Sequence, residues 1–265
     1  MMNNKSHEFA LYSKEFSQAV AQKKTQLTLA DTTVIHRLQH VLRAGKGETV
    51  MFFDDAVHAP CTIMDYPKNK VLLTLGPVTK NIPVLPKLTV ILPLLKREAL
   101  DELMYACREL GVSGIYFVST DKSSRQSLSV SERERLERVS VAAAEQSKNF
   151  SPCLFLNEFA FQNNKDHQLP SLTELLEMQK KSSECMNALK LYADPTGGSW
   201  QQIIATAPAH QAPEFVICVG PEGDMSDREK VALREYGFVF CQLGSTILRA
   251  QQAATLLIGI VRACR

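Results

Sequence analysis

From Asp31 to Arg43 the run DTTVIHRLQHVLR sets Val34, Leu38, Val41 and Leu42 at helical spacing, with Asp31 placed to cap the helix that this predicts. Apolar positions then crowd into short runs at ETVMFFD (48 to 54), HAPCTIMDY (58 to 66) and KVLLTLGPV (70 to 78). Polar or proline-containing turns separate them, so each reads as a strand, and several short strands with little helix predict a small β-barrel. Two prolines in NIPVLPK (81 to 87) mark a change of character, which sets a domain boundary near residue 85, with domains 1–85 and 86–265.

Beyond that boundary strand and helix alternate. LTVILPLL (88 to 95) precedes a helix whose Leu100, Leu103, Met104, Cys107 and Leu110 share one face and which Gly111 ends; GIYFVST (114 to 120) follows as a strand. A helix over about 131 to 147, a strand from near Cys153, a helix at LTELLEMQKK and a strand at NALKLYAD (187 to 194) continue the alternation. EFVICVG (214 to 220) reads as a buried strand, PEGDM as a turn, and Ser226 with Glu229 as a capping box that opens a helix stopping at Gly237. FVFCQLG (238 to 244) and an apolar helix from about Thr246 to Cys264 complete the pattern. Repeated βα units predict an α/β fold with a parallel sheet, whose ligands bind at the carboxyl ends of the strands.

Composition narrows the classes without naming one. Apolar residues at 45% and charged ones at 22% exclude a disordered or fibrous chain. A net charge of +2 permits RNA binding but does not imply it, because a neutral average can hide a basic face. The seven cysteines never form C-x-x-C and mostly lie in apolar segments, so they read as buried thiols of a reducing compartment. The start MMNNKSHEFALYSKEF lacks a signal-peptide core and no apolar run spans a bilayer, so a cytoplasmic protein without membrane attachment is expected.

Candidate chemistry gathers in the last third. In VGPEGDMSDRE, Gly220 and Gly223 sit between a strand and a helix, where glycine lets backbone approach a ligand; an ordinary βα turn would look the same. QLGSTILRAQQAA repeats the arrangement one βα unit later, with Gly244 in the turn and Arg249 at the start of the last helix. An arginine there can bind a carbonyl oxygen or phosphate, or it can merely pair with a surface carboxylate. His36 and His40 are four apart, but without a third ligand they read as a solvated helix face, and no metal is expected. Glu145-Gln146-Ser147 has no nearby histidine to activate the serine, which leaves helix-end hydrogen bonding or RNA contact. Arg37, Arg43 and Lys46 in the first domain, with Lys96, Lys122 and Arg125 in the second, are candidate phosphate contacts.

GPEG followed by S-x-x-E, then LG and LR before an apolar helix, resembles the RsmE family of SPOUT methyltransferases. HRLQHVLRAGKGE, LLKREALDELMYACRELGV and AAAEQS resemble further segments of that family, so the similarity covers most of the chain. The resemblance implies a PUA-like RNA-binding domain ahead of a trefoil-knotted methyltransferase domain. It implies S-adenosylmethionine as cofactor, held near LYADP, VGPEG and QLGSTIL by Leu191, Tyr192, Gly220, Pro221, Glu222, Gly223, Leu243, Gly244, Ile247 and Leu248. Arg249 would be the catalytic residue, and a homodimer would complete the site. The implied reaction is methylation of N3 of a uridine in 16S ribosomal RNA, uridine 1498 in the family, with the RNA expected in the assembled small subunit.

The chain departs from the family pattern at several places. Arg37 stands where the family has His, Arg97 where it has Gly, and Lys148-Asn149 where it has Gly-Arg; G-P-E-G-G is G-P-E-G-D here, and L-R-x-E-T-A has become Leu248-Arg249-Ala250-Gln251-Gln252-Ala253. The rival readings are a ribose 2′-O methyltransferase of the same fold, and an RNA-binding or ribosome-assembly protein with weakened chemistry, which the Gln251-Gln252 substitution keeps open.

Overall fold

The computed structural model describes residues 9–14, 16–22, 25–156, 168–181, 188–206 and 214–263. Residues 1–8, Cys185, Asn187 and Cys264, which entered the sequence reading, lie outside the described residues. The chain divides into two units, one of residues 1–82 with 141–152 and the other of 83–140 with 153–265.

The first unit holds a six-stranded sheet, of strands β1 (Ala10–Tyr12), β2 (Gln26–Leu29), β3 (Thr49–Phe53), β4 (Val57–Asp65), β5 (Val71–Leu75) and β6 (Thr79–Lys80). The order is β1-β3-β4-β5-β2, with β6 paired to β4; β1 lies parallel to β3 and the other pairs are antiparallel. Alternate residues Ala59, Cys61 and Ile63 of β4 point inward, joined by Val50, Phe52, Val71 and Leu73, as period-two patterning demands. Helix α1 (Phe16–Ala21) and helix α2 (Thr32–His36) close this core through Phe16, Val34 and Ile35. Asp31 caps α2 by accepting hydrogen bonds from the backbone of Thr33 and Val34, and a wider π-helical turn, Arg37–Val41, carries the helix on.

The pattern missed β1, α1 and β2. Three- to six-residue elements carry too few positions to display a period, and QLTL alternates only twice.

Residues 141–152 belong with this sheet for identifiable reasons. Glu145 takes a bidentate ion pair from Arg37, with Nη1 at 2.8 Å from Oε1, and accepts the Tyr12 amide at 3.0 Å. Phe150 packs on Phe53 at 4.6 Å between ring centroids and on His58 at 4.8 Å.

The second unit is built on a parallel sheet of β7 (Lys87–Pro93), β8 (Gly114–Val118), β9 (Leu154–Phe155), β10 (Leu189–Ser199), β11 (Glu214–Cys218) and β12 (Val239–Gln242). The order β12-β10-β11-β7-β8-β9 is parallel throughout. One face buries Leu88, Val90, Leu92, Phe215 and Ile217 under helix α3 (Arg97–Glu109) and helix α8 (Ala250–Ala263), joined by Leu136 of helix α4 (Val130–Ser147). The opposite face buries Ile91, Val216 and Cys218 under helix α5 (Leu172–Lys181) and helix α7 (Asp227–Glu235). Two covered faces explain why LTVIL and EFVIC read as unbroken apolar runs. Helix α6 (Trp200–Thr206) follows β10 and was absent from the sequence reading.

The expected caps are present. Gly111 and Gly237 have φ of 69° and 79° after α3 and α7, and Ser226 and Glu229 form both halves of the capping box. Helix α8 starts at Ala250, four residues later than its apolar pattern suggested, because residues 246–249 are spent on a loop. Cys61, Cys107, Cys218 and Cys241 are buried free thiols, and Cys153 is partly buried.

Helix α8 is fixed by more than its apolar face. The Arg262 guanidinium donates to four carbonyls, Leu110 at 2.7 Å, Gly111 at 2.5 Å, Pro86 at 2.6 Å and Val84 at 3.4 Å, joining α8 to the end of α3 and to the segment entering β7. Arg262→Met keeps the aliphatic stem and removes the donors. It should lower stability in urea unfolding by about 3 kcal/mol, the scale of charge-assisted hydrogen bonds lost to half-buried acceptors. In the first unit, Glu145→Ala leaves Arg37 and the Tyr12 amide without their acceptor and should cost about 2 kcal/mol by the same measurement.

Candidate functional site

Three adjacent strands, β12, β10 and β11, end side by side, and the loops that leave them enclose a cleft of about 410 Å³. Tyr192, Ala193, Asp194 and Pro195 come from β10; Val219, Gly220, Pro221, Glu222 and Asp224 follow β11; Cys241, Leu243, Gly244 and the run Thr246–Arg249 follow β12, with Ala250 and Ala253 of α8. The position is the one that parallel strands dictate, since their carboxyl ends open into loops free to vary. The volume suits a ligand of cofactor size.

The β10 wall owes its shape to a register break. Ala193 and Gly198 both stand opposite Cys241 of β12, so the residues between them bulge out of the ladder and carry Asp194 and Pro195 to the cleft. The bulge requires a close backbone approach at Gly197, where a Cβ would lie 2.4 Å from the carbonyl carbon of Phe240. The turn after β11 is closed by the Asp224 amide donating to the Pro221 carbonyl at 2.9 Å. At Gly244 a Cβ would meet nothing within 4 Å, so open space faces that backbone.

A charge network stands behind the β10 and β11 loops. The Lys230 ammonium of α7 lies 2.9 Å from Asp194 Oδ2 and 2.6 Å from Asp224 Oδ2. The Tyr192 hydroxyl donates to Asp224 Oδ1 at 2.9 Å, and Asp194 Oδ1 accepts the Thr196 amide at 2.7 Å. Burial would lower the lysine, yet its two carboxylate partners raise it above its ordinary value. Burial would likewise raise both aspartates, but hydrogen bonds from Thr196 to Asp194, from Tyr192 to Asp224, and from Lys230 to both hold them below the usual carboxylate range. Burial, then the charge of Asp224, push the Tyr192 phenol far up, so it stays a donor.

Of the residues expected at a cofactor site, Tyr192, Gly220, Pro221, Glu222, Leu243, Gly244, Ile247 and Leu248 line this cleft. Leu191 is fully buried in the core beneath α3 and α8, because strand alternation turns it away from Tyr192. Gly223 lies against Lys122, whose Cβ is 3.4 Å from the position of a Gly223 Cβ. Arg249 lines the cleft as an exposed residue just ahead of α8, its carbonyl accepting the Ala253 amide at 2.9 Å. Among the described residues no hydrogen bond or ion pair holds its guanidinium.

The expected RNA contacts are placed in different ways. Lys96 is exposed, 4.0 Å from Glu222, and Lys122 donates to the Met225 carbonyl at 3.4 Å, so both stand beside the turn after β11. Arg125 is held by the Leu95 carbonyl and by Glu132. In the first unit Arg43 is exposed, Lys46 pairs with Asp65 at 2.6 Å, and Arg37 is engaged by Glu145. Ser147 makes the helix-end bonds expected of it, donating to the Ala143 carbonyl at 2.7 Å and accepting from the Asn149 amide at 3.2 Å. His36 and His40 lie 4.9 Å apart, and no metal-ligating cluster forms among the described residues.

Sequence reasoning missed Asp194 and Lys230 and noted Asp224 only as a departure. Asp194 ends the LYAD run and could have been read as a polar residue closing a strand. Lys230 had no signal, since its partners lie 36 and 6 residues away.

Comparison with known proteins places this geometry. A protein of Rickettsia conorii named ribosomal RNA small subunit methyltransferase E is 24% identical over 253 residues, covering 95% of this chain and 95% of its own length. The protein of that name from Bacillus subtilis is 24% identical over 86% of each chain. Among solved structures, ribosomal RNA small subunit methyltransferase E of Neisseria gonorrhoeae, bound to S-adenosyl methionine, shares the fold with a TM-score of 0.76 at 20% identity, over 97% of this chain and 98% of that one. A Legionella pneumophila protein solved with bound S-adenosylmethionine gives 0.75 at 21% identity, over 97% and 98%. The Rickettsia, Bacillus and Neisseria proteins carry the name of the family that the motifs resemble. The model of the RNA methyltransferase domain matches residues 83–262, which take in the entire parallel sheet and all three cleft loops, and the chain belongs to that family.

Proposed function

We propose that this chain transfers a methyl group from S-adenosylmethionine to N3 of a uridine in 16S ribosomal RNA. The observation that carries the reading is the cleft itself, which two glycine-bearing loops, one on either side of β10, line together with an exposed arginine. The names of the full-length relatives and the matched domain support the RNA substrate. The residues present fit the donor: open space at Gly244 admits a ligand against the backbone, and Leu243, Ile247 and Leu248 offer apolar surface. When bound, S-adenosylmethionine supplies an electrophilic methyl group.

The chain's own residues have three tasks. The loops after β11 and β12 hold the donor by backbone and apolar contact. Arg249 binds a carbonyl oxygen of the uracil ring and favours the ring anion left when the N3 proton departs; an always-protonated guanidinium cannot itself take that proton. Gln251 accepts hydrogen bonds but is no base, so the proton passes to water or to a group of a second copy. Lys96 and Lys122, beside the turn after β11, contact phosphates of the bound strand in this proposal.

The first unit, in this proposal, is a PUA-like RNA-capturing domain, with Arg37, Arg43 and Lys46 as its candidate phosphate contacts. The second is a SPOUT domain with a C-terminal knot. A homodimer is part of the proposal, since Ile247 is 85% exposed beside the cleft and a second copy would cover it. The substrate is the assembled small subunit in the cytoplasm.

Gly244→Val places a side chain in open space without backbone strain, so the variant should keep its melting temperature and lose S-adenosylmethionine binding by calorimetry. Retained affinity in a folded variant would remove the ligand from this cleft. Arg249→Ala should leave cofactor affinity nearly intact and reduce methyl transfer to small subunits at least a hundredfold, the scale for loss of one preorganised electrostatic group. Nucleoside mass spectrometry of the product distinguishes base from ribose methylation. Wild-type protein that binds cofactor and RNA but transfers no methyl would instead favour the assembly-protein reading.

A further inference from the structure

We infer that Asp224 is a positioning residue for the donor cleft: its carboxylate latches the turn Pro221–Asp224 to the end of β10 and to α7, through the Tyr192 hydroxyl and the Lys230 ammonium. The inference rests on the proposed reading of the cleft as the S-adenosylmethionine site and names what holds that site in shape.

Asp224 has a φ of 62°, in the left-handed region where a side chain is disfavoured and glycine is the ordinary occupant. The resembled family has glycine at this point of G-P-E-G-G. Aspartate is among the few residues that tolerate the conformation, and here its side chain has work for both oxygens. Oδ1 accepts the Tyr192 hydroxyl at 2.9 Å and the Met225 amide at 2.8 Å, while Oδ2 meets Lys230 Nζ at 2.6 Å. A backbone strained without purpose would relax through glycine, whereas this one holds three hydrogen bonds that glycine could not make.

These bonds bear directly on the cleft. A Cβ built on Gly220 would lie 3.1 Å from Tyr192 Oη and 3.5 Å from Asp224 Oδ1, so the hydrogen bond between them runs immediately behind the residue that opens the β11 loop. Tyr192 is fully buried and cannot follow if the loop drifts. Lys230 extends the latch to Asp194, whose side chain has no exposed surface and whose strand segment forms the facing wall. One carboxylate thereby sets the separation of two cleft walls. The charged and titratable groups facing it are Tyr192 and Asp194 of β10 and Lys230 of α7, with Lys122 of the loop after β8 held on the Met225 carbonyl nearby.

The experiment titrates wild-type protein, Asp224→Gly, Asp224→Asn, Tyr192→Phe and the double variant Asp224→Gly/Tyr192→Phe with S-adenosylmethionine by calorimetry, alongside thermal unfolding. Asp224→Gly relieves the backbone and so should remain folded while binding roughly tenfold more weakly, as loss of a charge-assisted hydrogen bond requires. Tyr192→Phe should weaken binding similarly, and the double variant should be no weaker than the poorer single one, because both break the same bond. Asp224→Asn keeps a neutral acceptor and should recover part of the loss. A pH series separates latch from mere packing. The Asp224 carboxylate sits below the usual range, so wild-type affinity should hold until acid protonates it there and then fall, whereas Asp224→Asn should lack that component. Wild-type binding with undiminished affinity in folded Asp224→Gly, or additive losses in the double variant, overturns the latch alone. Wild-type protein that binds no S-adenosylmethionine overturns the reading of the cleft, and the latch with it.

Discussion

The arrangement at the carboxyl edge of the parallel sheet depends on how closely β10 lies against β12 at Gly197. A side chain there would overlap the Phe240 carbonyl carbon and the Cys241 amide, at 2.4 and 2.5 Å. With hydrogen in its place, β10 can pair with Cys241 twice, at Ala193 and at Gly198, and throw the intervening residues out of the ladder. Asp194 reaches Lys230 only from that excursion, and Lys230 reaches Asp224 from the same point. A single close contact of two backbones therefore fixes the bulge, the charge network and two of the three cleft loops.

The division of labour between the two sheet faces follows from the same strand. Leu191 faces the core under α3 and α8, while Tyr192, one residue on, faces α5 and α7. The polar network begins at Tyr192 and at the bulge that carries Asp194, partway along the strand. The partly buried Lys230 is matched by two carboxylates that accept its charge, and the burial of Asp194 is tolerable because Lys230 and Thr196 donate to it. Without Lys230 the buried Asp194 charge would lose its counter-ion.

Much of this was legible in one dimension, and the limits have physical causes. The alternation of LTVILPLL, EFVICVG and FVFCQLG with amphipathic helices specifies parallel βα units, because periodicity is local. Gly220, Gly244 and Arg249 were visible since turns of this kind are short and carry glycine. Leu191 was expected at the cofactor site through the resemblance at LYADP, although a strand sends successive side chains to opposite faces. The Arg37–Glu145 pair was invisible for another reason: its members are 108 residues apart, and a charge on a helix face looks the same whether it meets solvent or a partner. Asp224 stood out as an oddity in a glycine pattern, but its meaning required a backbone angle.

The central pairing of the sheet also says something about time. Strand β7 lies between β8, which closely follows it in the chain, and β11, whose Glu214 pairs with Lys87 across most of the second unit. Local hairpins cannot form that pair, and its loop-closure entropy must be met before any of its apolar contacts are gained. Topology of this kind slows folding, and until that pairing closes the EFVIC strand has no β7 partner along one edge. A strand in that state whose only charge is its first residue, Glu214, is prone to join another molecule, so aggregation during refolding should be sensitive to protein concentration long after helices have formed.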